Sequence, residues 1–356
     1  MMAVSNVKNM RIAIYGAGAM GITLGAFLTE GGLTNVDLIN RNVEYVEDLK
    51  QEGARIDLGV DTGKQTRKVN VRIGFPEDMQ GEYDVIFLMT KQRHNTDIVT
   101  YLSKYLKADG IICTTQNGLP EQSVAAIIGN DRTYGAVMSF GAGFIGEKAR
   151  VKLTSKLSAM HVEVGGYQND GAKLPILKEI LSYAVKVTNE NFVTTTENLM
   201  GARWQKLSIN AAFSGISVMT GLPFGEIASR HKTRKLAIGV LRECVMVAKA
   251  QGVKLPKMHG FDLEKTLGEK SIINSLIAYM VLPFAMRKHR LIRSGMLLDI
   301  EKGRKCEIDY VNGVVCKEGA KVGVETPICQ QIVEIVHGIE NGLYETDYKN
   351  VDFFDI

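Results

Sequence analysis

The first half of the chain alternates between two hydrophobic periods. Short apolar runs give way to stretches whose apolar positions recur every three to four residues, the pattern of parallel strands joined by crossover helices. "RIAIY" (11–15) reads as a strand, "MGITLGAFLTE" (20–30) as a helix stopped by Gly31-Gly32, and "VDLIN" (36–40) as a second strand. Further strands are predicted at 83–90 ("YDVIFLMT"), 110–115 ("GIICTT") and 133–139 ("TYGAVMS"), with helices over 94–106 and 121–128. "RVKLTS" and "MHVEVGG", near 150–166, read as late or edge strands.

After about residue 190 the pattern changes to long helices. "TTTE" (194–197) fits a capping box, Thr194 with Glu197 three residues on, and predicts that a helix opens there and runs through "RWQKLSINAAFS" (203–214). A second amphipathic helix is predicted over 233–251, stopped by Gly252, and two more over 306–323 and 327–342. Neither an internal repeat nor a low-complexity tract is present. The expected organisation is therefore an α/β dinucleotide-binding domain of the Rossmann type over 1–190, followed by an all-α domain over 191–356. A length of 356 residues also argues for two cores rather than one.

Composition narrows the function classes. A hydrophobic content of 45% with 23% charged residues is that of a soluble globular protein. The net charge of +4 is mild for this length, so it suits an anionic small molecule better than a nucleic acid. The uncharged stretch from Leu207 to Gly225 has the length of a membrane span, yet Asn210, its serines and Pro223 fit a buried helix better. Five scattered cysteines (Cys113, Cys244, Cys306, Cys316 and Cys329) with no C-x-x-C spacing predict reduced thiols in a cytoplasmic protein and no metal site. No secretory leader is expected in "MMAVSNVKNMRIAIYG".

The candidate chemistry begins at "GAGAMG" (16–21), which fits G-x-G-x-x-G between a predicted strand and a predicted helix. Gly16 allows the tight turn, Gly18 the approach of a pyrophosphate, and Gly21 close helix–strand packing. Ala17, Ala19 and Met20 complete a helix start whose free N–H groups and dipole suit phosphate. An acidic residue closing the second strand would suit NAD, but here the strand ends in Asn40 and Arg41. The arginine fork suits a 2′-phosphate, so NADPH is the expected cofactor, with an exposed loop arginine as the alternative. Lys91 and Asn117 each follow an apolar strand and so fall on the edge where ligands bind in such sheets, although Asn-Gly is also an ordinary turn signal. Gly141, just past "TYGAVMS", is grouped with these cofactor contacts.

The apolar helix poses a different question. Arg203, Lys206, Asn210, Ser214 and Ser217 share one face at three- and four-residue steps, and no charge follows Lys206 until Glu226. That stripe is either a solvent face or the lining of a wet cleft. A lysine ammonium can polarise a carbonyl oxygen and protonate it, and an asparagine one turn on can orient a carboxylate or hydroxyl. Glu307 begins a predicted helix on which Val311 and Val314 share its face, so its carboxylate is expected to point inward; the alternative is a glutamate favoured by the helix dipole.

"GAGAMG", "TKQ", "QNG", "RWQKLSIN" and "GMLLDIEKGRKCEIDYVNG" occur in this order over nearly the whole chain, and together they resemble the ketopantoate reductase (2-dehydropantoate 2-reductase) family. The resemblance implies reduction of a 2-keto acid by NADPH, most closely ketopantoate to pantoate in pantothenate biosynthesis. It implies a Rossmann domain followed by a helical domain like the 6-phosphogluconate dehydrogenase C-terminal domain. It further implies Lys206 as general acid, Asn210 as substrate ligand, Glu307 near the substrate hydroxyl and nicotinamide ribose, and Asn117 and Lys91 at the cofactor–substrate junction. The chain departs from the family pattern at Ser214, at Phe224 and at Gly295, where the expected serine stands one residue earlier as Ser294. Ser214 and Ser294 are accordingly expected substrate contacts. Extra length lies around 253–292 and ends in the basic run "RKHRLIR". The expected partner is a small keto acid, with neither nucleic acid nor membrane, and a homodimer is plausible from the apolar helical domain. Two rivals stand beside this reading: a 6-phosphogluconate dehydrogenase-like oxidoreductase acting on another keto or hydroxy acid, and a non-catalytic NADP(H) sensor.

Overall fold

A computed structural model describes residues 7–59, 65–146, 148–257, 262–268 and 272–355. It divides into two compact units, Met1–Gln116 with Pro120–Leu199, and Asn117–Leu119 with Met200–Ile356.

The first unit runs β1 (Ile12–Tyr15), α1 (Ala19–Glu30), β2 (Val36–Ile39), α2 (Val43–Glu52), β3 (Ala54–Asp57), β4 (Thr66–Val69), β5 (Arg72–Gly74), β6 (Tyr83–Leu88), α3 (Asn95–Ser103), β7 (Leu106–Thr114), α4 (Glu121–Ile128), β8 (Thr133–Met138), β9 (Ala142–Phe144), β10 (Arg150–Leu153), β11 (Val162–Gly166), α5 (Leu174–Ser182) and β12 (Val193–Thr196). Eight strands form one sheet in the order β12-β11-β8-β7-β6-β1-β2-β5. It is parallel from β5 to β8; β11 runs antiparallel to β8, and β12 follows β11 in parallel. A strand buried on both faces must be apolar throughout, which is why Ile12, Ile14, Phe87 and Leu88 are fully covered. The chain leaves β1 toward β2 and returns to β6 on the other side, so the strand order reverses at β1.

Four further strands pair as β4-β3-β10-β9. Of these, the periodicity located only the β10 region. The reading also placed no strand at β5, whose "RIG" is short and lies at the sheet edge, where apolar alternation is not required.

Two sequence expectations need correction. The capping box at 194–197 does not form, because Val193–Thr196 is strand β12, in register with Val162–Gly165 of β11. The β-branched run satisfies its backbone in the ladder, and Thr194 Oγ1 meets His161 Nε2 at 2.8 Å instead of capping a helix. The helix expected over 94–106 ends at Ser103, and Leu106 already begins β7, opposite Tyr83 of β6.

The second unit contains α6 (Leu199–Thr220), α7 (Phe224–Ser229), α8 (His231–Ala250), α9 (Leu263–Leu267), α10 (Ile272–Ala285), α11 (Gly295–Glu301), α12 (Ile308–Lys321) and α13 (Pro327–Glu340). Trp204, Leu207, Ala211, Phe213 and Ile216 bury α6 against α8, α12 and α13 in one core. Two polar devices fix the packing. The buried Glu243 carboxylate of α8 accepts from the backbone N–H groups of Ile328 (2.8 Å) and Cys329 (2.9 Å), capping α13 from a neighbouring helix. The Asn312 amide of α12 donates to the Ala211 carbonyl in the middle of α6 at 3.1 Å, where Gly215 leaves room for it. Among the described residues, no helix is long and apolar enough to cross a membrane, and no group of His, Cys, Asp or Glu is placed to hold a metal.

Candidate active site

In the first unit the strand register decides what can meet. Tyr15 lies opposite Ile39 on one side and Leu88 on the other, and Leu88 lies opposite Thr114. The four strands therefore end level, and the segments after them, 16–18, 40–42, 89–91 and 115–116, emerge from one edge of the sheet. The turn of "GAGAMG" hangs from β2: Gly16 and Ala17 donate their N–H groups to the Ile39 carbonyl at 3.0 and 2.9 Å, and Asn40 Nδ2 donates to the Ala17 carbonyl at 2.7 Å.

The three glycines have separate reasons. Gly16 has φ +100°, and a Cβ on it would lie 2.7 Å from the Thr90 nitrogen. A Cβ on Gly21 would lie 2.7 Å from the Gly16 carbonyl, so its absence lets α1 approach the turn. Gly18 is the exception: its φ is −73° and a Cβ there would meet nothing within 4 Å. Neither conformation nor packing asks for glycine at that position, whereas a ligand laid against the backbone does. Gly18 is also the N-cap of α1 and has no side-chain cap. The first helical N–H to close inside the chain is that of Ile22, onto Gly18. The N–H groups of Ala19, Met20 and Gly21 thus point out of the helix end, which carries no acidic residue in its first turn. This cradle fits a pyrophosphate.

Arg41 is exposed at the end of β2. Its charge is near enough to Tyr15 to oppose the rise in that tyrosine's pKa caused by burial. Lys91 is exposed just past β6. The two loops after β6 and β7 are locked together by a pair of buried amides that the sequence reading did not single out. Gln116 Nε2 donates to the Thr90 carbonyl (2.9 Å) and to Asn95 Oδ1 (2.7 Å), while Asn95 Nδ2 donates back to Gln116 Oε1 (3.0 Å) and to Ser123 Oγ (2.9 Å). Both glutamines of "TKQ" and "QNG", Gln92 and Gln116, are buried, and that was their available signal: uncharged polar residues at the ends of apolar strands. Asn117 follows Gln116 and is exposed, and Gly118 after it turns the chain at φ +77°. Gly141 lies in the connection into the smaller sheet. Its N–H donates to Ser155 Oγ at 3.0 Å, its carbonyl accepts from Thr154, and a Cβ would strike Thr154, so local structure already accounts for a glycine there.

In the second unit the polar stripe of α6 is not uniform. Arg203, Ser214 and Ser217 are buried, while Lys206 and Asn210 between them are half-buried. Ser217 is used internally, donating to the Leu222 carbonyl at 2.8 Å. Ser214 Oγ donates to Asn210 Oδ1 at 3.0 Å, which orients the amide and turns its donor end away from Ser214. Burial is the larger cause, and the neighbouring Arg203 cation the smaller, of a Lys206 pKa lowered from 10.5 to about 7. A lysine of that kind is divided between ammonium and amine at neutral pH.

The remaining candidates sit at helix starts. Ser294 is buried and caps α11, its Oγ accepting from Met296 N–H at 3.1 Å. Glu307 is the half-buried N-cap position of α12, and its side chain makes no capping bond. Phe224, one of the departures from the expected pattern, is a core residue: its ring packs on Phe213 at 5.3 Å and its N–H holds the Ile292 carbonyl at 2.9 Å.

With this geometry in place, the comparisons with known proteins are specific. Residues 12–164 match the model of "Ketopantoate reductase PanE/ApbA", and residues 198–340 match that of its C-terminal domain. The chain belongs to the ketopantoate reductase family. A 2-dehydropantoate 2-reductase of Archaeoglobus fulgidus is 25% identical over 351 residues, 95% of this chain and 100% of the relative. One from Streptococcus pyogenes serotype M3 is 23% identical over 334 residues, 93% and 98% of the two chains. Among solved structures, a ternary complex of D-mandelate dehydrogenase with NADH and anilino(oxo)acetate superposes with a TM-score of 0.78 at 23% identity, covering 94% of this chain and 99% of that one. The protein is thus an oxidoreductase of the ketopantoate reductase family that acts on a CH–OH group, built as a Rossmann-type domain followed by a helical one.

Proposed function

We propose that the protein reduces a 2-keto acid to a 2-hydroxy acid with NADPH, ketopantoate to pantoate being the foremost candidate. The observation that carries this reading is Lys206: a half-buried lysine with a pKa near 7, one turn from an oriented asparagine, on the helix that bears the family's "RWQKLSIN". A keto acid needs a proton on its carbonyl oxygen as a hydride reaches its carbon, and a donor titrating near neutrality suits that transfer.

The cofactor's residues are those of the glycine turn. Ala19, Met20 and Gly21 N–H groups would hold the pyrophosphate, Gly18 would let it lie against the backbone, and Arg41 would pair with a 2′-phosphate. Bound NADPH would supply the hydride. The chain's own part in the step is the proton. As the new C–H bond forms at the keto carbon, the C=O π pair moves to oxygen, and that oxygen takes a proton from Lys206 Nζ. The resulting amine regains a proton from solvent. Asn210, held by Ser214, would donate its amide N–H to the substrate, and Glu307 would accept from the new hydroxyl. Lys91 and Asn117 are proposed to contact the cofactor near the reacting end, and Gly141 and Ser294 to border the ligands. No two of the five cysteines are joined in a disulfide, which accords with the expected cytoplasmic setting.

A second substrate reading deserves a place in the same assay. Phe224 is spent on the core where the family pattern has an asparagine, which changes the substrate side and leaves the proton donor in place. Purified protein is therefore assayed for NADPH oxidation with ketopantoate, branched aliphatic 2-keto acids and aromatic 2-keto acids. Turnover of ketopantoate with the highest kcat/KM is the expected result; preference for an aromatic acid would keep the chemistry and replace the substrate. Lys206→Ala is expected to lower kcat by about 10²–10⁴-fold while leaving NADPH affinity within about twofold. Near-normal turnover of that variant would remove Lys206 as the acid, and tight NADPH binding without turnover of any keto acid would support the sensor reading.

A further inference from the structure

Three titratable side chains that the proposed chemistry does not use meet at the start of α12, beside Glu307. Glu340 closes α13, and its carboxylate is buried, with 3% of the side chain exposed. One oxygen, Oε1, accepts the backbone N–H of Cys306 at 2.8 Å; the other, Oε2, lies 3.2 Å from His337 Nδ1, one turn earlier on the same helix. The second ring nitrogen, His337 Nε2, lies 2.8 Å from Asp309 Oδ1 in the first turn of α12. The Cys306 thiol donates to Glu340 as well, and burial, with the charge of that carboxylate, pushes the thiol up to about 12. The residue before Glu307 is therefore tied to α13 directly, and the residue two places after it through an imidazole.

This arrangement costs more than a plain helix contact needs. A carboxylate at the last position of α13 stands at the negative end of its own helix, and burial adds to that penalty. What the carboxylate secures is the entry to α12. Residues 302–305 form an exposed loop between α11 and α12, fastened to α11 where Arg304 donates to Asp299 Oδ1 at 2.7 Å. The next fixed points are Cys306 and Ile308, both buried, and Glu307 is the half-buried residue between them. Its side chain does not cap α12, and the peptides on either side set the point from which it projects. We propose, resting on the role given to Glu307 above, that Glu340, braced by His337, is a positioning residue for it. By holding the Cys306 peptide, Glu340 fixes where the Glu307 carboxylate meets the hydroxyl formed from the keto acid.

Steady-state reduction of ketopantoate, or of the keto acid that the panel above favours, tests this in the full-length protein. Glu340→Ala is expected to lower kcat/KM about 10-fold or more with NADPH affinity within about twofold, since a misplacement near 1 Å can slow a reaction about 10²-fold. Two conservative variants separate reach from charge and keep the test open if the alanine variant does not fold. Glu340→Gln can still accept from Cys306 and should stay within about threefold of wild type. Glu340→Asp keeps the charge but falls a methylene short, and should be impaired like the alanine variant. On top of Glu307→Ala, either Glu340→Ala or Glu340→Asp should add less than about twofold, because the group it aims is gone. Wild-type kcat/KM in Glu340→Asp, whatever its melting temperature, would overturn the proposal, as would a loss that persists in full on top of Glu307→Ala. If Glu307→Ala turns over the keto acid like wild type, Glu307 has no part in the reaction and this proposal falls with it. An impaired Glu307→Ala beside an unimpaired Glu340→Asp removes this proposal alone.

Discussion

The candidate sites of the two units are built from different materials. In the first, the cradle is backbone: three N–H groups at the start of α1, a turn hung from the Ile39 carbonyl, and a glycine whose missing Cβ leaves open space. In the second, the candidate chemistry is a set of side chains on one helix, and its behaviour comes from burial. Lys206 is an ordinary lysine by identity and becomes a near-neutral acid through desolvation and the cation of Arg203. A backbone site is fixed once the turn folds. A side-chain site can be retuned by one neighbour.

The largest effect that would break this contrast comes from the glycines. Gly18→Ala should weaken dinucleotide binding about 100-fold with little change in Tm, because the new methyl enters ligand space and meets no protein atom. Gly16→Ala should do the reverse in emphasis and lower Tm by several degrees, since φ +100° and the Thr90 nitrogen at 2.7 Å both oppose a side chain. Calorimetric titration of each variant together with its melting curve separates the two; normal affinity in Gly18→Ala would show that the open space is not the cofactor's. Next in size is Arg41→Ala, where losing a charged hydrogen-bond donor to the 2′-phosphate should cost NADPH roughly 10–100-fold in Kd and leave NADH nearly unaffected. An equal loss for both cofactors would remove the arginine's selective role.

How much of this was legible beforehand follows the same contrast. "GAGAMG" could be read as a candidate cradle because Gly16 and Gly21 answer requirements of conformation and packing, Gly18 leaves open space, and strand–turn–helix periodicity supplied the context. Strands β3, β4 and β9 of the smaller sheet and β5 at the edge of the larger one were not legible; "TRKV" and "RIG", for instance, alternate little and lie at sheet edges, where pairing rather than pattern makes a strand. The capping box at Thr194 failed for a related reason: the local motif competed with a ladder partner, Glu163 of β11, that lies 31 residues upstream and leaves no local trace. On α6 the spacing of Lys206, Asn210 and Ser214 was visible, but the spacing could not say that only Lys206 and Asn210 stay half open, nor that Ser214 acts on Asn210. The buried Gln116–Asn95 amide pair escaped for want of any local requirement, since its two members meet only in the folded sheet.

The tuning of Lys206 is tested by pH. The acid must be protonated to donate, so reduction should fall as pH rises through about 7, and oxidation of the hydroxy acid should rise over the same range. Stability has its own sign. Between about pH 7 and 10.5 the unfolded lysine holds a proton that the folded one has lost, so this group makes the fold more stable as pH increases across that window, and below it the buried ammonium is a standing cost. Arg203→Met removes a neighbouring positive charge, and the activity limb should then move to higher pH by up to about one unit. An unmoved limb would leave desolvation as the whole cause.

The smallest expected effect is also the sharpest test of the side-chain site. Ser214 Oγ donates to Asn210 Oδ1 at 3.0 Å, and nothing in that contact touches the proton donor. Ser214→Ala should therefore raise KM for the keto acid a few-fold, the scale of one neutral hydrogen bond at roughly 0.5–1.5 kcal/mol, with kcat and the pH limb of Lys206 unchanged. The two residues act in series, so the same substitution made on top of Asn210→Ala should add almost nothing, because the oriented amide is already gone. Additive losses would mean that Ser214 meets the substrate directly. A fall in kcat rather than a rise in KM would mean that the stripe works as one unit with Lys206, and the division between binding and proton transfer along α6 would have to be redrawn.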